Sequence, residues 1–249
     1  MRNMANKVPA VTLAFWIIKT LATTLGETGG DALSMQLDLG YLASTAIFAA
    51  FLAASLSAQI VATRFYPALY WLVIVATATV GTTTSDYLDR TIGLGYSVTS
   101  AILLGAVIAS LAAWRLATGS ISVSDISTRR QEFFYWLTII LSNTLGTALG
   151  DWLADTQGVG FAAGAAVFAG GLLLVAALYR WTKLPHPILF WTAFVLTRPF
   201  GATFGDVLTK PVDAGGFALS RIMASAVLAG LMVVMILLSG KRAERSPAV

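Results

Sequence analysis

Four aspartates occupy the same place in a repeated pattern, and they are the residues of this chain best suited to chemistry. Each follows a tryptophan by fifteen residues and is directly preceded by glycine or serine, and a further glycine lies ten residues after the tryptophan. The aspartates are Asp31, Asp86, Asp151 and Asp206, and the tryptophans are Trp16, Trp71, Trp136 and Trp191. A fourfold match without gaps indicates four copies of one structural unit.

Further oxygen-bearing side chains lie one or two helical turns from the aspartates. Residues three, four and seven positions apart share one face of a helix. The face that carries each aspartate therefore also carries hydroxyl, amide or carboxyl groups. Such oxygens are the ligands that Mg²⁺, Ca²⁺ and Mn²⁺ prefer. The predicted cation ligands are the four aspartates together with Glu27, Thr28, Thr82, Thr83, Asn143 and Thr147.

Two basic residues fall within the same segments. Lys19 lies three residues after its tryptophan, and Arg198 lies eight residues before Asp206. A basic side chain inside a membrane needs an anionic partner or a water-filled path, so we expect both to act in gating or charge pairing. Arg198 is expected to neutralise Asp206. One alternative stays open: the aspartates form ion pairs, with these residues or with Arg90 and Lys210, and bind no ligand.

The composition is typical of an integral membrane protein. Of the 249 residues, 57% are hydrophobic and 11% are charged, against about 25% charged in an average soluble domain. Such a chain cannot cover a globular surface with solvated groups. With no cysteine and one histidine, thiolate and histidine-rich metal sites are excluded. Motifs of nucleotide-binding loops, zinc hydrolases and serine hydrolases are absent from the sequence, so we expect neither an enzyme nor a resident cofactor.

Each repeat has room for two membrane spans of about 20 residues. We predict A helices over 10–33, 69–88, 133–153 and 188–208, and B helices over 41–63, 96–117, 161–181 and 217–239. A glycine 24 residues after each tryptophan marks the turn between them: Gly40, Gly95, Gly160 and Gly215. The predicted fold is therefore an all-α membrane protein with eight transmembrane helices in four parallel two-helix repeats.

Small residues beside the aspartates predict close packing of the A helices. Pairs of glycine or serine four residues apart let helix backbones approach one another. The predicted packing glycines are Gly26, Gly30, Gly81, Gly146, Gly150, Gly201 and Gly205. We expect the A helices inside, around a shared polar cavity, and the B helices outside.

The tryptophan spacings of 55, 65 and 55 residues divide the chain into two halves. We predict a first half at 1–118, a cytoplasmic linker at 119–131 and a second half at 132–249. Basic residues, which give a net charge of +4, concentrate at the termini and between repeats. They predict cytoplasmic termini rather than a nucleic-acid site. The tryptophans are expected to anchor the A helices at the cytoplasmic interface.

The fourfold unit, with two spans and one tryptophan per unit, resembles the bacterial "repeat of unknown function" membrane family over about residues 9–240. The resemblance implies an eight-helix protein of the inner membrane and supplies no catalytic residues to transfer. The expected partners are the lipid bilayer and a small ion or solute, and self-association is left open.

From the residues themselves, the leading hypothesis is a transporter of a hard divalent cation, manganese ahead of magnesium, or of protons coupled to one. Export is preferred to import, and the two halves would rock to alternate access. One alternative is a small polar or cationic organic solute, with Trp152, Tyr87 and Phe204 as walls. Another is a scaffold or sensor that transports nothing. Four equivalent aspartates, with no distinguished pair, disfavour an aspartyl hydrolase.

Overall fold

The structure is a computed structural model that describes residues 7–124 and 126–245, the last six by their backbone alone. Residues 1–6 and 246–249, which are predicted to be cytoplasmic, lie outside the described residues. So does Asp125 of the predicted linker. The chain is all-helical over its described part, with α1 (Leu13–Asp31), α2 (Gly40–Val61), α3 (Pro67–Asp86), α4 (Tyr96–Thr118), α5 (Arg129–Asp151), α6 (Phe161–Trp181), α7 (His186–Thr209) and α8 (Arg221–Arg245).

The ends of the inner helices differ between the repeats. In α1, α3 and α5 the chain continues past the aspartate through one π-helical turn, at Ala32–Gln36, Tyr87–Thr91 and Trp152–Thr156. The described end of α7 has none, because Pro211 follows Lys210 and a proline cannot donate a backbone hydrogen bond. Residues 217–219 instead turn back and donate to the last carbonyls of α7. This is why α8 begins at Arg221 and not at the predicted residue 217.

Glycines permit the turns that join inner to outer helices. Gly40, Gly95, Gly160 and Gly215 have φ angles of 73°, 78°, 81° and 80°, in the left-handed region that glycine adopts without a steric penalty. The spacing pattern predicts these turns, and their backbone angles explain why glycine recurs there.

The odd-numbered helices form a closed ring, in which α1 contacts α3, α3 contacts α5, α5 contacts α7 and α7 contacts α1. The even-numbered helices lie outside. Each packs on the inner helix that follows it in the chain: α2 on α3, α4 on α5, α6 on α7, and α8 back on α1. The contacts between the predicted halves thus resemble the contacts within them.

Glycines lie at every contact between neighbouring inner helices. A Cβ atom built on Gly81 would lie 2.8 Å from the carbonyl carbon of Asn143, closer than carbon atoms approach. The matching glycines would meet a residue at the same repeat position: Gly26 meets Ala78, Gly146 meets Arg198 and Gly201 meets Thr23. One turn on, Gly30, Gly150 and Gly205 lie against Thr82, Thr203 and Glu27. The inner helices are therefore parallel and in the same register.

Within the described residues, six helices are long and apolar enough to cross a membrane: α2, α3 with its π turn, α4, α5 with its π turn, α6 and α8. The other two, α1 and α7, carry charged residues in their middle turns. These charged residues lower the mean hydropathy of α1 and α7. Their side chains are buried among the other helices, so neither helix exposes them on the outside of the molecule.

Aromatic side chains close one end of the ring. Trp71, Trp136 and Trp191 are buried there, so the expectation that the tryptophans anchor at the lipid interface is wrong for these three, while Trp16 packs half-buried against the same core. Their positions share the face that points towards the neighbouring inner helices, and they pack in one core. The hydroxyls of Tyr70 and Tyr135 lie 2.5 Å apart in the same layer.

The segment between α4 and α5 covers this aromatic end. Val123 and Ile126 are buried in the aromatic core, and the carbonyl of Ile121 accepts a hydrogen bond of 3.0 Å from the indole of Trp191. A capping box between Thr128 and Gln131 begins α5. The predicted linker therefore contributes to the core as well as joining the halves.

Candidate functional site

The four aspartates lie buried at the end of the ring opposite the aromatic core. The guanidinium of Arg90 bridges two of them, with Nε 3.2 Å from Asp86 and Nη2 3.0 Å from Asp151. The ammonium of Lys210 lies 3.4 Å from Asp206. Pairing with Arg90 and Lys210, the alternative that the sequence left open, is thus observed at three of the four aspartates.

The fourth aspartate pairs with a residue that sequence reasoning missed. Nε of Arg221, the first residue of α8, lies 3.4 Å from Oδ2 of Asp31. The available signal was a lone arginine at the start of an apolar helix, at the end that the positive-inside rule predicts to carry few basic residues. Three basic side chains thus pair with the four aspartates, because Arg90 is shared between Asp86 and Asp151.

Three buried carboxylates meet where α7 contacts α1. Glu27, Asp31 and Asp206 each offer an oxygen atom within 4.8 Å of the others. Because metal–oxygen distances to hard cations are about 2.0–2.6 Å, one ion could contact all three. Gly205 lies against Glu27 and allows the close approach. We call Glu27, Asp31 and Asp206 the carboxylate triad.

Arg198 does not neutralise Asp206, and that expectation is wrong. The two residues are eight positions apart on one helix, about 12 Å along its axis. The fully buried side chain of Arg198 instead extends into the middle of the ring, where Nη1 and Nη2 each donate to Oε2 of Glu27 on α1 at 3.0 Å. Glu27 therefore links the carboxylate triad to the middle of the ring.

Lys19 lies one further turn towards the aromatic core. Its ammonium donates to Oδ1 of Asn143 at 3.3 Å and lies 4.1 Å from the ring centre of Phe194. The amide of Asn143 donates in turn to the hydroxyl of Thr77 at 2.9 Å. Among the described residues, no carboxylate forms a salt bridge with Lys19. Asn143 is thus placed beside a cation, away from the aspartates.

The predicted threonine ligands divide into two groups. The hydroxyls of Thr82 and Thr147 contact both Glu27 and Arg198. Thr28 accepts a hydrogen bond from Ser225 of α8 at 2.8 Å, and Thr83 donates to the backbone of its own helix. Only the first pair joins the buried charges.

One of the three predicted aromatic walls lies outside the ring. Phe204 is 38% exposed and stacks on Phe200 with ring centres 5.9 Å apart. Tyr87 and Trp152 are half-buried in the π-helical turns. This arrangement gives no support to an aromatic cage for an organic solute.

Neither the curated proteins nor the solved structures include a match to this chain. A family model does match it, in four consecutive segments at residues 14–65, 69–120, 134–184 and 189–244. Each segment covers most of one inner helix and of the outer helix that follows it. The matched segments include all four aspartates and most of the chain, which therefore belongs to the family described as Repeat of Unknown Function (DUF347).

Proposed function

We propose that this protein spans the cytoplasmic membrane of a bacterium eight times, as four parallel two-helix repeats with both termini in the cytoplasm. Six of the described helices have the length and composition for this. The other two, α1 and α7, occupy ring positions equivalent to those of α3 and α5. Because the four inner helices pack side by side in one register, we expect all four to cross the membrane if α3 and α5 do.

Its proposed activity is transport of a hard divalent cation, with manganese as the first candidate and export as the preferred direction. The observation that carries the proposal is the carboxylate triad. Ionisable residues inside a membrane are costly and usually mark an ion or substrate path. Three carboxylate oxygens within 4.8 Å offer the charge and the ligand type that Mn²⁺ and Mg²⁺ require. The proposal includes no enzymatic step.

Two basic side chains would exchange with the cation. Lys210 and Arg221 pair with Asp206 and Asp31, and their side chains are 14% and 22% exposed. They reach the carboxylate triad from the outer rim, whereas Arg198 is enclosed. An arriving dication would displace these two single charges, and its release would let them return. The three carboxylates of the triad would thus each keep a basic partner when no cation is bound.

The test is Mn²⁺ flux into vesicles that contain the purified protein. Glu27→Gln, Asp31→Asn and Asp206→Asn each remove one charge at nearly constant size, and each should lower the flux at least about tenfold, the effect of about 1.4 kcal/mol. Asp206→Asn should be as severe as Asp31→Asn, because Arg198 neutralises Glu27 instead of Asp206.

Asp89→Asn is the matched control. This carboxylate is also buried at the same end of the ring, where it accepts hydrogen bonds from Ser85 and Thr99. It lies outside the carboxylate triad, so Asp89→Asn should retain most of the flux. If wild-type vesicles move Mn²⁺, Mg²⁺ and Ca²⁺ no faster than empty vesicles, or if the triad variants match the wild type, the proposal is wrong.

A further inference from the structure

The middle of the ring contains a guanidinium group enclosed by oxygen atoms from the three other inner helices. Arg198 of α7 donates to Glu27 Oε2 of α1 at 3.0 Å, to Thr147 Oγ1 of α5 at 2.6 Å, and to the hydroxyl of Thr82 on α3. The carbonyl of Ala78 adds a fourth partner at 3.4 Å. We call these four residues the oxygen cage.

The repeats show why only one side chain enters this cage. The residue seven positions after the tryptophan is Thr23, Ala78, Asn143 or Arg198 in the four repeats. Only arginine is long enough to place a charge at the centre, and it packs over Gly146, where any side chain would overlap it. The other three repeats contribute side-chain oxygen atoms one turn further along, from Glu27, Thr82 and Thr147.

The charge and chemistry of the oxygen cage match a single small cation. It combines one carboxylate with two hydroxyls and a backbone carbonyl, the oxygen ligands that bind alkali cations when they are dehydrated. The single buried negative charge of Glu27 balances one positive charge, so a dication would leave its second positive charge unbalanced. The guanidinium also fits the cage incompletely, since the buried Nε of Arg198 has no hydrogen-bond partner among the residues that the structure describes.

We infer that the oxygen cage is a monovalent-cation site and that Arg198 is its permanent, tethered occupant. The guanidinium replaces a free cation there and blocks the axis of the ring between the carboxylate triad and Lys19. When the side chain is removed, Na⁺, K⁺, ammonium or guanidinium should bind in its place. This site is separate from the divalent-cation site, although both use Glu27.

The test measures thermal unfolding of purified Arg198→Ala in detergent. The buffer contains only N-methyl-D-glucamine, a cation too large for the cage, and each small cation is then added in turn. At about a hundredfold excess over its Kd, the best-fitting cation should raise Tm by about 5–10 °C, in a saturable manner. Wild type, whose cage is filled, should not respond.

Arg198→Ala/Glu27→Gln is the matched control, because it empties the cage and also removes its charge. It should unfold at the same temperature with every cation. If Arg198→Ala cannot be purified in the N-methyl-D-glucamine buffer, a second measurement takes the place of Tm. It is the yield of monodisperse protein from membranes prepared with and without about 10 mM guanidinium.

Three results would overturn the inference: no response of Arg198→Ala to any of the four cations, an equal response of the double variant, or recovery that is independent of guanidinium. Because the readout is stability and not flux, the oxygen cage can fail this test while divalent-cation transport survives, and the reverse also holds.

Discussion

Two buried lysines show how differently one residue type can be stabilised in this protein. Lys7 lies 3.1 Å from both carboxylate oxygens of Glu132 and also donates to two carbonyls at the end of α2. Lys19 has an amide oxygen and an aromatic face instead. Removing one partner of a buried ion pair leaves the other charge uncompensated, whereas removing a charge without an ionic partner does not.

We therefore predict unequal losses of stability for two identical substitutions. Lys7→Met should lower the free energy of unfolding by about 3–5 kcal/mol, since it strands Glu132. Lys19→Met should cost no more than about 1 kcal/mol, the net value of one hydrogen bond to Asn143. Thermal unfolding of both variants in detergent measures the difference. Greater destabilisation by Lys19→Met would show that its charge has a partner that the geometry does not identify.

At the scale of helices, the packing glycines of the ring differ from those on the outside. Gly81 lies against the backbone of Asn143 and Thr144, whereas no atom of the described residues lies within 4 Å of a Cβ built on Gly105 of α4. Gly81→Ala should thus force α3 and α5 apart and cost about 1–3 kcal/mol. Gly105→Ala should be neutral or slightly stabilising, since alanine favours helix. Equal stability of the two variants by thermal unfolding would contradict the close packing.

The segment between the halves gives a second prediction at this scale. Ile126 is 1% exposed within the aromatic core, whereas Leu116 of α4 is 87% exposed. Ile126→Ala should cost about 2–5 kcal/mol through lost burial and a cavity, and Leu116→Ala should cost much less. Both can be compared by their Tm. A linker that only joins two halves would tolerate both changes equally.

Repetition is what made the helices predictable from sequence. Glycines and aspartates at fixed spacings located the inner helices, their turns and their packing faces, because a periodic chain repeats its local geometry. Which helices become neighbours depends on how each is rotated, and spacing within one helix holds no such information. The pairing of Arg198 with Glu27, and of Arg221 with Asp31, joins residues from opposite ends of the chain and was therefore missed.

Closure of the ring bears on how the whole molecule could move. The first inner helix contacts the last, and α8 packs on α1, so each predicted half contacts the other on two sides. The carboxylate triad lies on one of these junctions, with Glu27 and Asp31 on α1 and Asp206 on α7. Rocking of the halves would open this site directly. Its location between the first and last inner helices would connect the proposed ion binding to a contact between the two ends of the chain.

The number of spans is the prediction that concerns the whole molecule. Hydropathy selects six helices, and the closed ring favours eight. The two counts differ only at α1 and α7. If the protein has eight spans, the two ends of α1 lie on opposite sides of the membrane, and so do the two ends of α7. If it has six spans, the two ends of each of these helices lie on the same side.

The chain has no cysteine, so single cysteines can report the side of the membrane without background. Leu13→Cys and Leu39→Cys flank α1, and Leu184→Cys and Val212→Cys flank α7, all at exposed positions. A membrane-impermeant maleimide applied to intact cells should label only the cysteines at 39 and 212, because positive charge keeps the other ends in the cytoplasm. Labelling of both positions, or of neither, at either helix would show that it does not cross, and the parallel ring would then have to be abandoned.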